Sequence, residues 1–512
     1  MTTPVLPAGA ILAFAGAAGS PPAGWLFCDG TQYSQSDQSE LYKAIGDASG
    51  GDTTAGTFAV PNLHGMFLRG QDSGRGLDPD LSLRVAAASG GNAGDLPGSV
   101  QPWATGNPSA HPFYARMWHL PTDYKDVYPT TDGDQLALYN GGGTNIVCAS
   151  GGDAETRPPN VYVEFLIKAT AAAALPVGAV IPYAGNALPG PVAQYWQLCD
   201  GTVLSDTAEA ALGTVMGGAS GHGDGTFNVP DYRGYFLRGT AHGSPRDPDR
   251  GSRSAQGNQG NVGDAVGSWQ WWASGRPQNN SFYVGAPHLP NDPANVLENH
   301  LGGIVVGVWS TLPVNFAEAA GGGEESRPVN VAVDWYVARS AVASATTEPF
   351  PIGGVIAIPS TGVPSAAWLV CNGSPVRSGD QFFSALSATI GAANGGDGET
   401  EILLPDYRGT FLRGRDRSSG HDPDAGTRSS PAPKSGNSGD AVGSVQGWDT
   451  RRPGNAWLGT AQLPNRGVRV TEGLRGTGGS EWNQGSVDGA VHGGDDETRP
   501  WNASVVWYVR AA

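Results

Sequence analysis

Positive charge is scarce in this chain. Thirty Lys and Arg face 47 Asp and Glu in 512 residues, giving a formal net charge of −17. That balance repels phosphates and excludes nucleic acid as a natural partner. It disfavours an anionic membrane surface in the same way. No apolar run is long enough to span a bilayer, so membrane insertion is not expected. The stretch from Met1 to Ala18 is apolar but has no Lys or Arg ahead of it, and it reads as folded domain rather than signal peptide. Cysteine is equally sparse, with four residues. Three of them, Cys28, Cys199 and Cys371, occupy one column of an internal repeat, one to each unit, and Cys148 has no counterpart. No pair has metal-ligand spacing, and buried reduced thiols are the expected state. A strict glycine period is missing, which excludes collagen. Also missing are a coiled-coil heptad, any His-x-His, and a nucleophile joined by His and an acid in every copy. His64, His242 and His421 fall in different columns.

Gly (78), Pro (39), Trp (15) and Phe (14) are plentiful. The aromatics argue against disorder, and together these residues read as β structure with many turns and long ordered loops. The chain then says nearly the same thing three times. Cys28-Asp29-Gly30 recurs as Cys199-Asp200-Gly201 and Cys371-Asn372-Gly373. Phe67-Leu68-Arg69-Gly70 recurs as Phe236-Leu237-Arg238-Gly239 and Phe411-Leu412-Arg413-Gly414. Glu155-Thr156-Arg157-Pro158 recurs as Glu325-Ser326-Arg327-Pro328 and Glu497-Thr498-Arg499-Pro500. Three copies of one unit are implied. The expected fold class is mainly β with one short helix per unit, a β-rich α+β design of three tandem domains with long irregular loops. The units are 1–168, 176–339 and 351–512, with linkers 169–175 and 340–350. The repetition supplies an internal control. A position kept in all copies reads as architecture, and one that differs is free for binding.

Each unit opens on an apolar strand (Ala10–Phe14, Ala179–Tyr183, Gly354–Ile358), followed by a short strand beginning at Trp25, Trp196 or Trp368. The Asp-Gly or Asn-Gly behind it signals a turn. A helix follows, with Ser34, Ser205 and Ser378 as candidate caps. Its apolar face is Leu41, Ala44 and Ile45 in the first copy and Phe382, Phe383, Leu386 and Ile390 in the third. Gly46, Gly213 and Gly391 are expected to end it. The unit closes on an alternating strand: Val161, Val163, Phe165 and Ile167; Val331, Val333, Trp335 and Val337; Ala503, Val505, Trp507 and Val509.

The ordered set of an apolar strand, Trp-x-x-Cys-Asp-Gly, a helix, Gly-Asp-Gly with Thr-Phe, Pro-Asp-Tyr-Arg-Gly and Phe-Leu-Arg-Gly resembles the phage tail collar domain of tail fibre proteins. Copy two carries it most fully, from Trp196 to Gly239, and the likeness extends over about two thirds of each unit. The resemblance implies a virion surface protein that binds a bacterial host and is not an enzyme. It also implies other tail or capsid proteins as partners, and assembly in the host cytoplasm before exposure on the particle. Fibres of this family are usually homotrimers. This chain departs from them in fusing three units, which allows either a pseudo-threefold head or beads along a line. Some such tips hold an axial metal through His-x-His. Here His119 and His288 share a column with Gln462, so no metal is expected.

Two sets of candidate residues stand out. The first is polar. Arg69, Asp78 and Arg84 recur as Arg238, Asp247, Arg253 and as Arg413, Asp422, Arg428. Each Asp begins Asp-Pro-Asp, so calcium at Asp78 and Asp80, Asp247 and Asp249, Asp422 and Asp424 is one reading. Charge balance favours the other, a structural Arg–carboxylate lattice. The second set lies where the copies differ, at 102–150, 271–321 and 447–492. Trp103, Tyr114, Trp118, Tyr124, Trp271, Trp272, Tyr283, Trp309, Trp448, Trp457 and Trp482 stand there among Asn, Gln, Asp and Gly. Aromatic faces that stack on sugars, amid amides and carboxylates that take hydroxyls, make up a glycan-binding surface. The alternative for each ring is an insert's own core or a contact between units. The leading expectation is host glycan binding without cofactor. The rivals are a structural virion part (baseplate, collar or head decoration) and a capsule depolymerase.

Overall fold

The computed structural model describes residues 6–105 except 16–19, 156–170 except 157 and 159, and 174–274 except 185–187 and 189–192. It further describes 326–339 except 329, 350–450 except 360–366 and 432–435, 498–512 except 501, and short strands within the three inserts. The chain is mainly β. Among the described residues there are three α-helices, Ser39–Ile45, Ala210–Met216 and Phe383–Ile390, one in each copy.

In every copy the closing strand is the centre of the local sheet. Asn160–Lys168, Asn330–Ala338 and Asn502–Arg510 each run antiparallel to the opening strand of their own repeat (Ile11↔Ile167, Val180↔Val337, Val355↔Val509). On the other edge each pairs with the Trp strand (Leu26↔Ile167, Gln197↔Val337, Leu369↔Val509). The alternation read from sequence is present: Val161, Val163, Phe165 and Ile167 enter one core, while Leu166 enters another. Yet all nine residues of Asn160–Lys168 are buried, because strands and loops of other copies cover the second face.

Those other copies explain the architecture. The first half of each closing strand pairs in parallel with the Phe-Leu-Arg-Gly strand of a different repeat. Asn160–Val163 lies on Phe236–Gly239, Asn330–Val333 on Phe411–Gly414, and Asn502–Val505 on Phe67–Gly70. Copy one thus leans on two, two on three and three on one. Ala13↔Val180 and Ile11↔Ala357 join the opening strands. A single apolar core contains residues from all three copies. The units are therefore not independent beads.

The exchange requires close backbone approach. A Cβ on Gly414 would lie 1.8 Å from the Tyr232 carbonyl oxygen, and one on Gly70 would lie 1.8 Å from that of Tyr407. Gly414→Ala is expected to cost about 1–3 kcal/mol through this clash between copies two and three, read as a lowered denaturant midpoint with the slope unchanged.

Two local expectations are corrected. Ser34, Ser205 and Ser378 are not helix caps: the cap positions are Gln38, Glu209 and Phe382. Ser34 instead accepts the Ser36 backbone N–H at 3.2 Å, closing a turn ahead of the helix. Gly213 does not end its helix. It lies inside Ala210–Met216, where a Cβ would meet the Phe227 ring at 3.1 Å, and Gly217 ends the helix in the left-handed region at φ 53°. Its glycine serves packing, which a local signal for a helix end cannot distinguish.

Candidate functional site

The triplicated Arg and Asp residues meet in three buried clusters. Asp78 receives Arg69 at 3.4 Å and Arg84 at 3.1 Å. Asp247 receives Arg238 at 3.3 Å and Arg253 at 3.1 Å. Asp422 receives Arg413 at 3.3 Å and Arg428 at 2.9 Å. Gln101, Gln270 and Gln446 donate to the same carboxylates at 2.9, 3.2 and 3.0 Å. Burial alone would raise the Asp78 and Asp422 carboxyls, but the flanking guanidiniums and the Gln amide outweigh it and hold both below the ordinary range.

The clusters cross between copies, which the sequence reading missed. Arg84 donates to Asn502 at 2.8 Å, and Arg253 to Asn160 at 2.8 Å. Arg499 reaches Asp80 at 2.6 Å, and Arg327 reaches Asp424 at 2.7 Å. The available signal was the Asn of Arg-Pro-x-Asn (Asn160, Asn330, Asn502), a polar residue kept at the head of a buried strand. Arg69, Arg238 and Arg413 are fully buried. Each also donates through Nε to a carbonyl of another copy: Gly409, Gly65 and Gly234, at 3.0, 2.9 and 2.8 Å. Their guanidiniums stand over Phe411, Phe67 and Phe236, about 5 Å from each ring centroid. Those three rings form a cluster of their own, each 1 % exposed. Among the described residues no group of three or more His, Cys, Asp or Glu is arranged to hold a metal.

Cys28, Cys199 and Cys371 are free and buried, and burial pushes their thiols well above the ordinary value. Ellman's reagent at pH 8 is expected to leave these three unreacted in native protein and to titrate all four cysteines after denaturation.

The segments that differ between copies converge. At their bases the hydroxyls of Thr105 and Thr156, of Ser274 and Ser326, and of Thr450 and Thr498 pair. Farther out, Tyr114–Trp118 of the first insert pairs with Ser486–His492 of the third, which pairs with Tyr283–Pro287 of the second, which pairs with Thr144–Cys148 of the first. A second small sheet joins Asn315–Ala317 to Leu458–Thr460. The three inserts thus share strands.

Of the aromatic candidates, Tyr114, Trp118 and Tyr283 lie on these strands. Trp103, Trp272 and Trp448 are half-buried at the insert bases, and Trp271 is 48 % exposed. Tyr124, Trp309, Trp457 and Trp482 lie outside the described residues. Trp271 belongs to a group that sequence reasoning did not assemble. It meets Trp269 edge-on at 5.0 Å and His421 at 6.0 Å, and Tyr235 meets both of those at 6.0 and 4.3 Å. The usable signal was the third residue of Gly-Ser-x-Gln, which is Val100, Trp269 and Val445 in the three copies.

The seams between copies also differ in polar chemistry. At the first, His242 bonds Glu164 at 2.8 Å and meets the His64 ring at 4.5 Å, tilted by 43°. At the second, Arg417 clasps Asp334 at 3.0 and 2.7 Å. At the third, a cavity of about 140 Å³ is lined by Gln71, Ser73, Asn372 and Arg408.

The chain is 34% identical over 155 residues to protein RhiB of Rhizobium leguminosarum bv. viciae, a stretch covering 28% of this chain and 64% of that protein. It is 39% identical over 64 residues to the putative uncharacterized protein StfE of Escherichia coli (strain K12), covering 12% of this chain and 30% of that protein. The chain thus spans less than two thirds of the length of either. No helix among the described residues is long and apolar enough to cross a membrane. The phage tail collar domain matches residues 9–68, 178–237 and 353–412, from the opening strand into Phe-Leu-Arg-Gly. The ion-pair clusters, the inserts and the closing strands lie beyond the matched residues. The chain carries three tandem phage tail collar domains, one in each repeat.

Proposed function

We propose that this is a tail-fibre-like, receptor-binding protein of a phage or phage-like particle, built as a pseudo-threefold head from one chain and binding bacterial surface glycan through its inserts. The single observation that carries the reading is that three kept scaffolds interlock one-on-two, two-on-three and three-on-one, while the three unlike inserts share strands in one sheet. In this reading the fusion does the work of three separate chains. It also frees each copy to present different side chains, which a homotrimer cannot do. The domain limits 1–168, 176–339 and 351–512 are part of the proposal. So are the virion setting, the neighbouring tail proteins and a structural role for the Arg–Asp clusters. The chain is assigned no catalytic step, so release of reducing sugar from capsule is expected to be nil.

Affinity would come from several weak sites acting together. The test is binding of the full chain to an array of bacterial lipopolysaccharide and capsule oligosaccharides. Glycan-dependent binding that is lost when 102–150, 271–321 and 447–492 are replaced by short loops supports the proposal. Binding to no glycan contradicts it.

A further inference from the structure

We infer that Tyr235, Trp269, Trp271 and His421 form a platform for one uncharged sugar ring at the seam between copies two and three, an inference that rests on the glycan-binding reading above. The four rings touch in a closed circuit, with neighbouring centroids 4.3–6.0 Å apart. Three come from the second copy and His421 from the third, so the platform exists only because the copies interlock. Gly234 brings them together: a Cβ there would lie 2.6 Å from the His421 Cβ.

The internal control isolates this seam. The same four columns hold Met66, Val100, Pro102 and Arg246 where copies one and two meet. They hold Thr410, Val445, Gly447 and Leu77 where copies three and one meet. The scaffold therefore closes without aromatics at these positions, and the aromatic set at one seam answers to something other than folding. Burial points the same way. Tyr235 is 3 % exposed and anchors the group, whereas Trp271 is 48 % exposed, the largest exposed apolar side chain among the described residues.

The shape of the site selects its occupant. Trp269 fixes its own indole by donating Nε1–H to the Ala255 carbonyl at 3.0 Å. It then braces Trp271 edge-on, at an interplanar angle of 87°. With 48 % of its surface exposed, Trp271 is reached from solvent rather than enclosed in the box that captures a quaternary ammonium. A flat indole face suits the apolar face of a pyranose. Polar groups adjoin the ring circuit at His421. His421 engages the Arg233 carbonyl through Nδ1 at 2.9 Å, which leaves Nε2 for a hydroxyl. Arg233 and Asp231 form a bidentate pair at 2.9 and 2.6 Å, about a quarter exposed. A donor and an acceptor fixed beside an aromatic face match ring hydroxyls.

The test compares the full chain with Trp271→Ala, His421→Ala and, as a control, Leu83→Ala, an exposed apolar residue of copy one. Each is applied to the oligosaccharide array, and the oligosaccharide bound most strongly is titrated in solution. Trp271→Ala is expected to weaken binding by about tenfold or more, His421→Ala by several-fold, and Leu83→Ala not at all, with melting temperatures unchanged. Trp271→Ala binding as tightly as the parent overturns the platform and leaves the glycan-binding proposal standing. Binding of tetramethylammonium at Trp271 with no sugar competing also overturns it. A parent chain that binds nothing on the array overturns both.

Discussion

Asp422→Ala is expected to destabilise the protein by about 3–5 kcal/mol, measured by urea unfolding at pH 7. The carboxylate is 4 % exposed and receives Arg413 at 3.3 Å, Arg428 at 2.9 Å and the Gln446 amide at 3.0 Å. Removing it leaves two guanidiniums buried against each other's charge. The loss measures the cost of uncompensated charge rather than the net worth of the pairs. A double variant, Asp422→Leu with Arg428→Met, is accordingly expected to lose less than the two single changes added together. The same cluster sets the acid limit. The folded Asp78 and Asp422 carboxyls are held below the ordinary value, so their contribution is fully present above the unfolded pKa and is lost as pH falls through the folded one. Stability from these groups should hold at neutral pH and fall below about pH 4.

Phe411→Ala is expected to cost about 3–5 kcal/mol, the usual range for emptying a buried aromatic site. The ring is 1 % exposed, packs on Phe67 and Phe236, and carries the Arg69 guanidinium 5.3 Å from its centroid. Because Phe411 belongs to copy three and Arg69 to copy one, the damage should spread beyond the mutated copy. A single unfolding transition at a lower midpoint is expected, and Phe411→Leu should lose distinctly less. Two transitions, with copies one and two unchanged, would mean that the ring supports its own copy alone.

Much of this architecture could be read from the sequence. The opening strands, the Trp strands, one helix per copy and the closing strands follow from periodicity and turn residues, all of them local signals. The partners of those strands were not legible. Phe67–Gly70, Phe236–Gly239 and Phe411–Gly414 are the same four residues, so each closing strand could pair with its own copy's strand or another's with equal side-chain chemistry. Only the path of the chain decides, and it chooses the other copy. The same blindness hid the cross-copy half of the ion-pair clusters: Arg69, Asp78 and Arg84 were visible as a column, Asn502 and Arg499 as their partners were not. Single aromatics such as Trp271 were legible as candidates because they stand where the copies differ. Its partners were not, because Trp269 lies in a kept motif and His421 in another copy.

The interlocking of the three copies is tested most directly by cutting the chain between them. Protease sites introduced within 171–173 and 341–346 would divide it into three fragments, each holding one collar domain. If the closing strands lie on neighbouring copies, the cleaved protein should run on size exclusion as one particle of the uncut size and should separate only in denaturant. Three fragments eluting apart in native buffer, each folded, would contradict the account.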